Sequence, residues 1–304
     1  MTKLSRRVFL GSAPAAAAAA GVFGTLFSSA AEAAINWDDT YNVIVIGAGG
    51  AGLSAAVSAK EAGCKKVVVL EKMMFAGGNT IRAGGGFNAA IKADYEKAGI
   101  KDSPDLHAQQ TLAAGDGRGD PVLVHQLTEK APESVQWLKD HSVKFEDHIY
   151  QIYAGLYKRA RNPIGPRGGA YIKALLEVCK KEDIPILYNT RVVEIIREHQ
   201  LSGRVLGVKV EQKGGKTLYL RALNGVVAAA GGFAANDRLT AIHDPRMGQL
   251  GTTNHPGATG DVLIDLVDIG AGTRGLDYIQ CIPGGVPGEN MLLTSSRMLT
   301  ASCL

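Results

Sequence analysis

Residues 41–71 read YNVIVIGAGGAGLSAAVSAKEAGCKKVVVLE: a strand, a glycine turn, a helix, a second strand and a closing acid in one run. Val43, Ile44, Val45 and Ile46 are apolar without a break, as in a strand buried on both faces of a parallel sheet. Gly47, Gly49 and Gly52 complete G-x-G-x-x-G. The first allows a tight turn, the second lets backbone approach a pyrophosphate, and the third lets helix pack on strand. The unpaired N–H groups at the start of the following helix favour an anion. Val67–Leu70 supply the second strand, and Glu71 stands where a carboxylate accepts hydrogen bonds from a ribose. A carboxylate there repels a 2′-phosphate, which leaves FAD or NAD as the dinucleotide.

On the amino-terminal side, Arg6 and Arg7 precede Phe9 and Leu10, a long Ala/Gly stretch and the small residues Ala31 and Ala33. This pattern resembles a twin-arginine export signal. Residues 10–31 are long enough to span a bilayer, but they are dominated by Ala and Gly, contain Pro14 and end in an A-x-A pattern. The expectation is a cleaved leader over residues 1–33, a periplasmic destination and no stable membrane anchor once it is removed. The formal charge of +4 drops by two when Lys3, Arg6, Arg7 and Glu32 leave with the leader. With near-neutral charge and no basic patch interleaved with aromatics, nucleic acid is not expected as a partner.

Cys64, Cys179, Cys281 and Cys303 are scattered, with no CxxC and no CxxCH. No haem attachment, zinc set or iron–sulfur ligand set is expected, and the four read as small buried hydrophobes. His141, Glu146, Asp147 and His148 are the nearest approach to a metal cluster, but KDHSVKFEDH reads as a solvated loop, so no metal ligand is assigned.

On the carboxyl-terminal side, residues 74–90 (MFAGGNTIRAGGGFNAA) carry glycines at 77, 78, 84, 85 and 86. They read as a long loop lying backbone-first against a ligand, with Ile81, Ala83 and Phe87 as apolar anchors. Residues 104–141 have helical spacing, with Leu106, Leu112, Val122, Leu123, Leu127, Val135 and Leu138 expected to pack. IGPRGGAY leads into a helix, residues 184–188 form a third parallel strand, and residues 191–197, 205–212 and 217–222 form a meander turning at Gly203 and at Gly214 and Gly215. NGVVAAAGGFAAN then returns an apolar strand to the ligand edge of the sheet. In TTNHPGATGDVLIDLVDIGAG, Asp261 stands before a helix, as a cap or as a cofactor contact.

In this order, VIVIGAGGAGLSAA, LEK, GGNT-x-x-AGGG-x-NAA, VVAAAGGFAAN and TTNHPGATGD closely resemble the flavoprotein of periplasmic fumarate reductases and flavocytochromes c. The resemblance runs from about residue 41 to residue 280. It implies bound FAD, a Rossmann-like α/β domain with a central parallel sheet and a small antiparallel meander, and reduction of a carbon–carbon double bond next to a carboxylate. Carried onto this sequence, it places the cofactor on Gly47, Gly49, Ala51 and Gly52 at the phosphate turn and on Glu71 at the ribose. Asn79, Thr80, Gly84 and Gly85 lie along the flavin, Val192 meets the adenine through its backbone, and Asp261 lies near the cofactor's middle. Related succinate dehydrogenases have a flavin-linked His where this chain has Asn79, so FAD is expected to be non-covalent.

Two departures from the family matter. Ala230 replaces a threonine in AAGG, and Ile282 stands where fumarate reductases carry a substrate-binding His. An isobutyl group donates no hydrogen bond to a carboxylate, so fumarate is not the expected substrate, and another unsaturated acid or a non-dicarboxylate takes its place. After Pro287 the family pattern is lost, and the clamp domain is expected to be largely missing. The division expected is 34–276 for the first segment of the FAD-binding domain and 277–304 for the truncated start of a substrate or clamp domain. No catalytic residue is assigned, and a separate c-type cytochrome is the expected electron donor. Two other readings stand beside this one: a truncated, non-catalytic FAD-binding fragment, and a flavin dehydrogenase of ketosteroid-dehydrogenase type.

Overall fold

The computed structural model describes residues 35–152, 155–281, 285–286 and 291–292. Its frame is the opening run: β1 (Asp39–Ile46), α1 (Gly50–Glu61) and β2 (Val67–Leu70). The two strands pair in parallel, from Val43 opposite Val67 to Ile46 opposite Leu70. Successive strand side chains point to opposite faces. Val43 and Val45 therefore pack with Leu53 and Val57 of α1, while Ile44 and Ile46 enter a second core on the other face. Two buried faces are the reason the run is apolar without alternation.

The glycine-rich loop that follows is not wholly irregular. It holds a 3₁₀ turn at Thr80–Arg82 and the short strand β3 (Phe87–Asn88). Next come α2 (Lys92–Ala98), α3 (Pro104–Ala114), α4 (Pro121–Asp140), β4 (Tyr150–Gln151) and β5 (Lys158–Arg161). β5 joins β3 and β4 in a small antiparallel sheet. Its buried Arg159 grips Asp102 through two hydrogen bonds of 3.0 and 2.8 Å, and Arg161 reaches Asp94 of α2 at 3.0 Å. These pairs tie the small sheet to the helices around it.

The chain then returns through α5 (Gly168–Lys181), β6 (Ile186–Leu187), β7 (Thr190–His199), β8 (Ser202–Gln212) and β9 (Thr217–Ala228). It continues through α6 (Asp237–His243), α7 (Asp261–Asp268) and the hairpin of β10 (Gly285–Val286) with β11 (Met291–Leu292). The main sheet has the order β6-β2-β1-β9-β8-β7. Its β6, β2, β1 and β9 run parallel, and β9, β8 and β7 run antiparallel, which is the central parallel sheet with its meander. The two parts share one strand. β9 pairs with β8 from Thr217 to Arg221 and with β1 from Leu220 to Ala228; it continues past Asn224 and Gly225, where the sequence suggests a break, with the register shifting between Ala222 and Gly225.

Three expectations need correction. Val122, Leu123 and Leu127 of α4 are 62–74 % exposed rather than packed. The core that Ala131 and Val135 enter with Phe87, Ile91 and Phe145 does not reach the first two turns of that helix. His141 is not a solvated loop residue: its Nε2 lies 2.8 Å from Glu61 and its ring lies against Trp137. Cys179 is buried as expected, but Cys281 is exposed, its Sγ 3.2 Å from the Met247 sulfur, and Cys303 lies outside the described residues.

The glycine turn has no room for a side chain at Gly47 or Gly52. Gly47 has φ +103°, and a Cβ there would sit 2.5 Å from the Ala229 carbonyl; at Gly52 it would sit 1.8 Å from the Gly47 carbonyl. Gly52→Ala is therefore expected to lower stability by about 3 kcal/mol, since α1 must lift from β1 to admit one methyl. Urea unfolding measures this, and an unchanged midpoint would contradict the packing described.

Candidate cofactor site

The carboxyl ends of β1, β2 and β9 meet at one edge of the sheet, the place where open α/β sheets bind ligands. A cleft opens there, lined by Ile46, Gly47, Leu70, Glu71, Val192, Ala230, His255 and Asp261 among others. Glu71 organises it. Its Oε2 accepts from Ala48 N–H at 2.8 Å and its Oε1 from Met73 N–H at 2.9 Å, with the side chain buried. Each oxygen keeps a lone pair for a further donor. The backbone carries the link onward, because Thr190 N–H donates to the Glu71 carbonyl at 2.9 Å and brings β7, with Val192, beside β2.

At the start of α1, Gly49 is the N-cap without a side-chain bond. Thr80 Oγ1 accepts from Gly50 N–H at 3.0 Å, pinning the glycine-rich loop to the turn. Ala51 and Gly52 N–H in the first helical turn meet no acceptor among the described residues. Two orphan donors at the positive end of a helix suit an anionic pyrophosphate.

The loop itself is held from behind. Gly77 N–H donates to Ala48 carbonyl at 2.8 Å, Gly168 N–H to Ala83 carbonyl at 3.3 Å, and Tyr171 Oη to Gly85 carbonyl at 2.7 Å. Burial pushes the Tyr171 hydroxyl well above the ordinary phenol range, so it remains a donor. These bonds leave Gly84 and Asn79 on the exposed side of the loop.

Asp261 does not cap α7. Gly260 is the N-cap and Asp261 is the first helical residue, its carboxylate turned to other partners. Thr259 Oγ1 donates to it at 2.9 Å, Lys72 Nζ lies 3.1 Å away and Arg191 Nε 3.2 Å away. Burial alone would raise its pKa, but Thr259, Lys72 and Arg191 together hold it below the usual carboxylate value.

The structure thus gathers Gly47, Glu71, Val192 and Asp261 around one cleft, with Gly49, Ala51, Gly52 and Thr80 at the adjoining turn. Asn79 is joined to the cleft through His255, whose N–H donates to Asn79 Oδ1 at 2.6 Å. Gly84 and Gly85 lie further along the loop and do not line this cleft. Sequence reasoning missed Lys72, Arg191, Thr259 and His255. The signal for Lys72 was its place directly after Glu71, and for Thr259 and His255 their place within TTNHPGATGD. Ile282 and residues 1–33 lie outside the described residues.

The arrangement fits a dinucleotide. It offers a carboxylate with spare lone pairs, two orphan N–H donors at a helix start and backbone left open along a loop. Among the described residues no helix is long and apolar enough to cross a membrane.

Comparison with known proteins gives the same answer. A family model described as FAD binding domain matches residues 42–303. The chain is 32 % identical over 294 residues to the acrylate reductase flavoprotein subunit of Shewanella woodyi, covering 94 % of this chain and 58 % of that protein. It is 35 % identical over 247 residues to a fumarate reductase (cytochrome) of Shewanella frigidimarina, covering 81 % and 42 %. The open conformation of a flavocytochrome c3 fumarate reductase superposes with a TM-score of 0.80 at 27 % identity, over 92 % of this chain and 48 % of that one. The chain thus spans about half the length of these relatives.

Replacing Asp261 by Asn leaves Lys72 and Arg191 facing each other without an anion. The stabilisation from a depressed carboxylate is present above the unfolded pKa and lost as pH falls through the folded one. Asp261→Asn is therefore expected to be less stable by about 1–2 kcal/mol at neutral pH. The gap should close below the ordinary aspartate value of 3.8. Thermal unfolding from pH 3 to 7 measures it, and a gap independent of pH would exclude the ion pairs as its source.

Proposed function

The chain belongs to the FAD binding domain family, with FAD as its cofactor, and from that premise we propose that it serves a reductase acting on an activated carbon–carbon double bond next to a carboxylate. The names of its relatives, acrylate reductase and fumarate reductase, support this reaction class. The observation that carries the reading is the cleft at the carboxyl edge of the sheet, lined by Glu71 and Val192, beside the turn where the N–H groups of Ala51 and Gly52 meet no acceptor among the described residues. When bound, FAD supplies hydride chemistry to such a site. The chain's own residues bind and orient it. Glu71 accepts from ribose hydroxyls, Ala51 and Gly52 donate to the pyrophosphate, and Val192 presents backbone to the adenine. Lys72, Arg191 and Asp261 balance charge beside them. Asn79, Thr80, Gly84 and Gly85 line the path of the flavin.

The substrate is a small unsaturated carboxylate, and Ile282, in place of a carboxylate-binding His, favours an acid other than fumarate. A c-type cytochrome is the proposed electron donor, supported by the name of the S. frigidimarina relative. Residues 1–33 are proposed as a twin-arginine leader to the periplasm, residues 34–276 as the flavin domain, and residues 277–304 as the start of a substrate-facing segment.

With Asn79 at the position of a covalent His, the flavin is held by contacts alone. Acid precipitation of the purified protein should leave the yellow colour in solution, and colour in the pellet would contradict this. Glu71→Gln should weaken FAD binding at least tenfold, as a charged hydrogen bond is worth about 1.5–3 kcal/mol. An unchanged dissociation constant would remove Glu71 from the ribose.

A further inference from the structure

His255 is nearly buried, at 5 % exposure, and lines the same cleft as Glu71 and Gly47. One contact fixes its backbone and two fix its ring. The backbone N–H donates to Asn79 Oδ1 at 2.6 Å, Phe75 meets the ring edge-on at 5.6 Å between centroids, and Gly257 N–H donates to Nδ1 at 3.0 Å. The last contact decides the tautomer. A nitrogen that accepts a hydrogen bond carries no proton, so in the neutral ring the proton is on Nε2. Nε2 has no partner among the described residues, yet it is not a sealed, unsatisfied atom. In a residue this buried, the opening that reaches it is the cleft.

We propose that His255 is a cofactor-binding residue whose Nε2–H donates to an acceptor oxygen on the ribose–pyrophosphate of FAD. The proposal rests on the FAD reading above and adds a residue to it. The surroundings keep the donor form. Burial first, and then the charges of Arg82 and Lys72, lower the imidazole pKa, with Glu71 opposing. A protonated ring would also set an Nδ1–H against Gly257 N–H, so the turn that aims the ring is built for the neutral form.

A purely structural role would use only Nδ1, as the acceptor that closes the turn to Gly257. Two substitutions separate the roles, because an Asn side-chain oxygen falls near the place of Nδ1 and a Gln side-chain nitrogen near that of Nε2. His255→Asn keeps the turn and loses the donor; His255→Gln keeps the donor and loses the turn.

FAD dissociation constants of the full-length variants, from flavin fluorescence at pH 8, should lie within about threefold of wild type for His255→Gln and about five- to tenfold weaker for His255→Asn. The melting temperatures of the flavin-free proteins should fall in the opposite order. His255→Asn binding FAD as tightly as His255→Gln, or more tightly, overturns the proposal and leaves His255 as a turn residue. Failure of the wild-type protein to take up FAD overturns the functional reading as well, so the two failures are distinct.

Discussion

The carboxylate of Glu71 is the constraint on which the site depends. One oxygen holds Ala48 N–H in the glycine turn and the other holds Met73 N–H beyond β2. A buried carboxylate is costly unless its oxygens are hydrogen-bonded, and here both are. The acid fixes the end of β2 against the turn between β1 and α1, and the backbone bond from Thr190 to the same residue draws in β7. The three segments that frame the cleft therefore meet at one side chain. The same side chain keeps lone pairs for a further donor, which is why the group that shapes the site is proposed to hold a ribose hydroxyl as well.

Around this point the charges are arranged as pairs. Lys72 and Arg191 share Asp261, and Thr259 bridges Lys72 and Asp261 through its hydroxyl. Such a triad prevents two cations beside the cleft from repelling each other, and it ties α7 to β7 and to the end of β2. Asp261 thus acts through neighbours that span three elements, which explains why a capping role and a contact role are hard to separate from the motif alone.

The βαβ run and the parallel pairing were legible because unbroken apolar runs and a glycine turn have one economical reading. Glu71 was legible by its distance from that turn. Much of the rest was not, for physical reasons. The continuity of β9 through Asn224 and Gly225 depends on pairing with β1, a partner some 180 residues away in sequence. The exposure of Val122, Leu123 and Leu127 reflects where the neighbouring core ends, which helical periodicity does not contain. Lys72, Arg191 and His255 belong to the site through contacts between residues as far apart as 72 and 261. The same limit applies to Cys281, which composition suggests is buried and the fold leaves at the surface.

In the proposed complex, FAD lies across the carboxyl edge of the sheet with its adenosine half in the Glu71 cleft. A crystal structure of the protein grown with FAD tests it most directly. The expected result is a ribose hydroxyl within hydrogen-bond distance of Glu71 and phosphate oxygens facing Ala51 and Gly52 N–H. A dinucleotide seated elsewhere, or a Glu71 carboxylate bonded only to Ala48 and Met73 beside bound FAD, would contradict it.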